Sequence, residues 1–466
     1  YAVGTTTGGT ETISWTSASR LDSTAAESSL SLVNTTTYYA SVRAVDSVAN
    51  VSSIATSNGF TIDTDLPQIV YVNEGSAALD LDIQNVDSVL SAGWQGTDTS
   101  PGSNIDFYEI ALGTAVGDSN IIDWYLTTDT LITADTLDLI DGETYFVSVR
   151  VTDVAGNRSA VFSGDGILID VTPPLVGSVN DGSGDDIEYT SSTTTLSANW
   201  SGFSDTVSSI VSYEVALGDS SAADNIVAWT SVGTATTNTF ESLSLTNATT
   251  YYFNVRATDL AGNVSATATS DGITIDTGPP VAGAVDDGLD GDEVWTNSED
   301  ALELSWYDFD DSLSGIDYYE YAFGFSPGVT DVVPWTNADT NTAITATGLT
   351  LVHGANYYGS VRATDYMGHV STTAISNGIL VDIFSPTVGL PSDGGAEDLD
   401  YQGPSDTLAI YWTGNDTREI AYYQYSVGTT PGDTNVTPWT DNGNATSVVI
   451  TDFVLTHETV YYANVL

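Results

Sequence analysis

Residues Tyr251 to Asp259 read YYFNVRATD, and the alternation within them decides the fold. Tyr251, Phe253, Val255 and Ala257 fall on one face, with Tyr252, Asn254, Arg256 and Thr258 on the other, the period of two expected of a half-buried strand. The stretch returns as YYASVRAVD (Tyr38 to Asp46), YFVSVRVTD (Tyr145 to Asp153) and YYGSVRATD (Tyr357 to Asp365), and a fifth copy begins at Tyr461. Behind the complete copies come SNGFTID, GDGILID, SDGITID and SNGILVD, then a proline at Pro67, Pro173, Pro279 and Pro386 in turn. Proline ends a hydrogen-bond ladder and stiffens a linker, so these prolines mark seams.

Tryptophan keeps the same register. Trp94, Trp200, Trp306 and Trp412 stand 106 residues apart, and Trp15, Trp124, Trp229, Trp335 and Trp439 form a second series spaced by 109, 105, 106 and 104. Solenoid units run only about 20 to 50 residues, so this period predicts repeated whole domains. The seams give complete modules near 64–170, 171–276 and 277–382. They are flanked by a partial module at 1–63, which lacks its first strands, and another at 383–466, which lacks its last. Half a sandwich leaves an open edge, so the expectation is a window on a longer polypeptide. Within a module, TTLSANW (Leu196, Ala198, Trp200) and YEVAL (Tyr213, Val215, Leu217) also alternate. Short strands separated by Gly, Asn, Asp and Ser clusters, filling about 100 residues, predict an all-β antiparallel sandwich.

Composition narrows the function. The chain has 63 acidic residues against seven arginines and no lysine, a formal net charge of -56, with 41% hydrophobic residues. That apolar content argues for folded cores, while the charge repels nucleic acid and anionic lipid. No run of 18 apolar residues crosses a membrane, and with no cysteine neither disulfides nor thiolate metal sites are available. The expected setting is secreted, at the cell surface. His353, His369 and His457 are scattered, and no Gly-x-Ser-x-Gly, phosphate loop or His-Glu-x-x-His occurs, so an enzyme is not expected.

The third module carries ELSW (Glu303 to Trp306), DYYEYAFG (Asp317 to Gly324), GLTLVHGANYYGSVRATD (Gly348 to Asp365) and NGILVD (Asn377 to Asp382). These strings resemble a fibronectin type III or related immunoglobulin-like module. The recurring TDxAGNxS and DGITIDTxPP strings are similar to the tandem repeats of large bacterial surface proteins and adhesins. The resemblance implies seven-stranded sandwiches strung as a beads-on-a-string rod, serving as a spacer, stalk or filament shaft. The alternative is a multivalent array binding an extracellular glycan or protein. Its partners would be neighbouring modules, other copies in a filament, or that glycan or protein. It also implies that Trp200 and its equivalents sit between the sheets. The Trp229 series covers the sandwich's side or stacks on sugar or a neighbouring chain. Arg43, Arg150, Arg256 and Arg362 share one outward position, facing Glu109, Glu214 and Glu320, so cross-strand ion pairs are expected.

Carboxylates gather at repeated offsets. One set is Asp46, Asp153, Asp259 and Asp365, followed four residues on by Asn50, Asn157, Asn263 and His369. A second is Asp98, Asp205, Asp311 and Asp416 after the first tryptophan series, and a third is the linker set Asp63, Asp170, Asp276 and Asp382. The resemblance places both loops at the end facing the previous module. Asp170 would then approach Asp205, Asp259 and Asn263, and Asp276 would approach Asp311, Asp365 and His369. Hard oxygen ligands at a joint suit Ca2+. Asp181, Asp185, Asp186 and Glu188, with Asp286, Asp290, Asp292 and Glu293, form another candidate set. The competing reading is a solvated acidic surface in which aspartates cap turns.

Overall fold

The computed structural model describes residues 1–466 except 21, 77, 100–101, 395–396, 402, 404–405 and 452–453. Every regular element among the described residues is a β-strand. They fall into two compact units, Tyr1–Glu188 with Thr194–Ser244 and Thr249–Ile273, and Tyr189–Thr193 with Leu245–Ala248 and Thr274–Leu466. The division lies inside the stretch 171–276.

In the first unit, Leu131–Asp135, Val89–Thr97, Gln68–Ser76 and Leu79–Asp80 form one sheet in that order. Ile122–Thr127, Ile105–Gly113, Thr144–Asp153, Ile167–Ile169 and Ile83–Gln84 form the facing one. The two inner faces meet in one core, with Val72, Leu90 and Trp94 from the first sheet and Ile110, Leu112, Val147 and Val149 from the second. The next sheets in this unit repeat the order. Ser178–Asp181 and Thr237–Phe240 flank Leu196–Ser201, while Ile210–Gly218 lies between Val227–Gly233 and Thr250–Asp259. Near the start of the chain, Ala2–Gly4 pairs with Thr37–Val42.

The second unit shows the same plan. Ala284–Asp287, Ala301–Tyr307 and Ala343–Thr347 form a three-stranded sheet. Val333–Asp339, Ile316–Gly324, Asn356–Asp365, Ile379–Val381 and Trp295–Thr296 form the other in that order. First, second and fifth long strands therefore oppose third, fourth, sixth and seventh, the order of a fibronectin type III-like, immunoglobulin-like sandwich. The chain is a tandem array of such folds. Residues 383–466 continue it, with Leu408–Tyr411 between Ser392–Asp393 and Ser447–Ile450, and Gln424–Gly428 between Thr437–Asp441 and Tyr462–Val465.

One pairing departs from the all-antiparallel expectation. Ile83–Gln84 runs parallel to Ile167–Ile169, and Trp295–Thr296 parallel to Ile379–Val381. The incoming chain pairs first with one sheet, turns, and then pairs with the other. Glycine makes that turn: Gly75, Gly182, Gly288 and Gly394 have φ of 111°, 102°, 123° and 91°, where a side chain is strained.

The first tryptophan series holds the cores. Trp94, Trp200, Trp306 and Trp412 are all buried, and each meets a third-strand tyrosine edge to face, Tyr108, Tyr213, Tyr319 or Tyr423, at 5.7 to 6.0 Å between centroids. A second tyrosine closes each corner. The Tyr145 hydroxyl accepts the Ile140 amide at 2.9 Å, and Tyr357 accepts that of Val352 at 2.9 Å, the tyrosine corner of immunoglobulin-like folds.

The second series has a different task. Arg43, Arg150, Arg256 and Arg362 lie over Trp15, Trp124, Trp229 and Trp335 at 4.0 to 4.3 Å from the ring centroid. Arg150, Arg256 and Arg362 also pair with Glu109, Glu214 and Glu320, each directly opposite in register. Glutamate, arginine and tryptophan thus span three adjacent strands, with one ring face occupied by guanidinium.

Candidate metal centres

The TDxAGN string folds into a loop capped by its own aspartate. Asp153 Oδ1 accepts the amide of Asn157 at 2.8 Å, Asp259 Oδ1 that of Asn263 at 2.8 Å, and Asp365 Oδ1 that of His369 at 2.8 Å. The other oxygen takes the side chain of the same residue, Asn157 Nδ2 at 2.8 Å, Asn263 Nδ2 at 2.9 Å, and His369 Nδ1 at 2.9 Å. All three aspartates are buried. Asparagine at the fourth position also reaches the linker, since Asn157 Nδ2 donates to the Asp63 carbonyl at 3.1 Å and Asn263 Nδ2 to the Asp170 carbonyl at 2.8 Å.

These contacts gather three clusters. Asp63, Asp98 and Asp153 each bring a carboxylate oxygen within 4.8 Å of the others, and so do Asp170, Asp205 and Asp259. In the third, Asp276 and Asp365 are joined by the His369 ring. Asp311 is not in that group; its Oδ1 accepts the amides of Leu313 and Gly315, both at 3.0 Å. Asp382 and Asp416 join no such group among the described residues. Asp382 Oδ1 faces His353 Nδ1 at 3.4 Å, and Asp416 accepts the Thr417 amide at 2.8 Å.

Electrostatics separates the clusters. At Asp170, burial pushes the carboxyl pKa up, and the charges of Asp259 and Asp205 push it the same way. Asp170 Oδ2 and Asp205 Oδ2 are buried with no partner at hydrogen-bond distance, and the nearby Ser208 hydroxyl offsets the rise at Asp170 only in part. Asp63 is the opposite case, because hydrogen bonding from Ser103, whose amide lies 2.6 Å from its Oδ2, holds it below the usual carboxylate range.

Of the buried acids at the end of the first strand, Asp181 belongs to the second candidate set, whereas Glu74 and Asp287 escape the sequence reading. Glu74, Asp181 and Asp287 stand at the end of the first strand or beside its closing turn, with no exposed surface, and Asp393 continues the series. Asp181 and Asp287 are pushed up to about 6, first by burial and then by neighbouring carboxylates, Asp186 and Asp271 for one and Asp292 and Asp286 for the other. Glu74 is raised by burial too. Asp271 lies outside the predicted set, and neither Asp185 nor Glu188 joins the cluster that Asp181 makes with Asp186 and Asp271. A usable signal is present nonetheless: an acid followed by the turn glycine, at the repeat period, in NEG, NDG, DDG and SDG.

No family model matches the chain. It is 31% identical over 257 residues to Exoglucanase B of Cellulomonas fimi, a match covering 53% of this chain and 21% of that protein. The chain thus spans about a fifth of that relative's length. Among solved structures it is similar to chicken CNTN1 FN1-FN3 domains, at 18% identity and a TM-score of 0.24, covering 68% of this chain and 97% of that one. Titin domains A168-A170 align at 13% identity and a TM-score of 0.28, covering 68% and 100%. The strand order described above, and not these alignments, carries the fold.

Proposed function

We propose that this segment is an extracellular spacer, a stalk or filament shaft of a large bacterial surface or adhesin-like protein, with Ca2+ holding the joints between sandwiches. The cluster of Asp170, Asp205 and Asp259 carries the reading, because two of its oxygens are buried and unpaired while the three carboxylates crowd within 4.8 Å. Ca2+ takes six to eight oxygens in irregular geometry and would cancel charge that the protein leaves uncompensated. The Asn263 bridge to the Asp170 carbonyl supports a loop and linker prepared for such an ion. Repetition of the motif favours a mechanical role over a single active site.

A second reading has support from the exoglucanase match. A 257-residue alignment takes in more than two 106-residue periods, so repeats are what the two chains share. The array would then be a non-catalytic spacer in a secreted polysaccharide-active protein. Glycan binding by the modules themselves fits less well, since arginine occupies one face of Trp124, Trp229 and Trp335. Small-angle scattering on the chain tests the spacer. Millimolar Ca2+ is expected to lengthen and narrow the distribution of dimensions relative to chelator. Superimposable profiles, or measurable polysaccharide binding by the array, would count against it.

A further inference from the structure

Away from the joints, each sandwich buries one acid that its surroundings only half satisfy. Glu74 Oε1 accepts the Val147 amide at 3.0 Å, Asp181 Oδ2 that of Gly272 at 3.0 Å, and Asp287 Oδ2 that of Gly378 at 2.8 Å. The remaining oxygens, Glu74 Oε2, Asp181 Oδ1 and Asp287 Oδ1, are buried with no partner at hydrogen-bond distance, and only the neutral hydroxyls of Ser270 and Ser376 lie close enough to Asp181 and Asp287 to ease their charge. A carboxylate in that state is costly unless something positive reaches it.

In two of the three cases exposed acids close on the buried one. Asp80 and Asp165 bring carboxylate oxygens within 4.8 Å of Glu74, and Asp186 and Asp271 do the same at Asp181. Asp80 and Asp186 are held in place by accepting the amides of Glu74 at 3.0 Å and Asp181 at 2.7 Å. The third sandwich has Asn377 where the others have Asp165 or Asp271, and its Nδ2 donates to Asp292 Oδ2 at 2.7 Å. Three carboxylates converge where an aspartate stands, and an amide donates a hydrogen bond to one carboxylate of the remaining pair where it does not.

We propose that Glu74, Asp80 and Asp165, and likewise Asp181, Asp186 and Asp271, form divalent-cation sites inside single sandwiches, each taking a hard ion such as Ca2+. The all-oxygen donor set disfavours softer metals. Each site joins the end of the first strand, and the short hairpin strand or loop that follows it, to an aspartate two residues before the last strand. The ion therefore ties the strand by which the chain comes in to the segment by which it leaves. This inference stands independently of the joint sites.

The test is the number of Ca2+ bound by the chain, from isothermal titration, with circular dichroism to confirm that each variant folds. Asp80→Asn with Asp165→Asn, and Asp186→Asn with Asp271→Asn, are each expected to remove one bound Ca2+. Asn377→Asp is expected to add one, by completing the third set around Asp287. Asp205→Asn reports on the joint alone. Unchanged stoichiometry in both double variants and in Asn377→Asp would overturn the inference. A loss confined to Asp205→Asn would leave the joint reading standing without it.

Discussion

Replacing Trp306 by alanine is expected to destabilise its sandwich by about 3–5 kcal/mol. The indole is buried between the two sheets, packed with Leu304 and Tyr357 in one core and edge-on to Tyr319 at 5.7 Å. The surrounding side chains are expected to refill that volume only in part, as close-packed interiors do. Ordinary domains have about 5–15 kcal/mol in hand, so the loss takes most of a modest one. Trp335→Ala is the control. Its ring is half-buried with Arg362 at 4.3 Å, and a partly exposed cation–π contact contributes only about 0.5–1 kcal/mol. Urea denaturation followed by far-ultraviolet circular dichroism separates them, and equal losses would refute the division of labour between the two tryptophan series.

Asp287→Asn is expected to stabilise the protein at neutral pH in the presence of chelator. The folded carboxyl is pushed from 3.8 to about 6, so between those pH values the native state holds a proton that the unfolded chain has released, and above them it must bury a charge. Stability from this group is full below pH 4 and is lost as pH rises through 6. A shift of about two units corresponds to ~3 kcal/mol lost by pH 8. Asparagine keeps an acceptor for the Gly378 amide, now 2.8 Å from Oδ2, and carries no charge to bury. The variant should exceed the parent by up to ~3 kcal/mol at pH 8 and converge with it near pH 4. A difference independent of pH would show that the carboxylate is not the cause.

Much of this architecture is written in the sequence because it depends on local alternation. YYFNVRATD and ELSW show which face is buried, and the Glu320 to Arg362 pair follows once the two strands are adjacent. The TDxAGN loop is legible for the same reason, since its aspartate bonds a residue four positions on. Contacts that depend on tertiary placement were harder to see. Trp295–Thr296 is a strand of two residues, too short to show a period, so its parallel pairing is silent in sequence. Arginine stacking on Trp229 needs the strand between them to hold both in reach. Asp287 reads as one more charge in an acidic run and falls outside the candidate set, because burial is decided by the opposite sheet. The joint clusters were half legible: the offsets point to Asp170, Asp205 and Asp259, but not to the amides that draw Asp311 away or to His353 beside Asp382.

The central claim is that hard cations complete this acidic array, and thermal melting of the chain tests it most directly. With Ca2+ at about a hundred times its dissociation constant, a single native-state site adds ~2.7 kcal/mol. In a domain of this size each kcal/mol raises the melting temperature by about 4–8 °C. The account predicts a clear rise in millimolar Ca2+, abolished by chelator, whereas superimposable melting curves in the two conditions would contradict it.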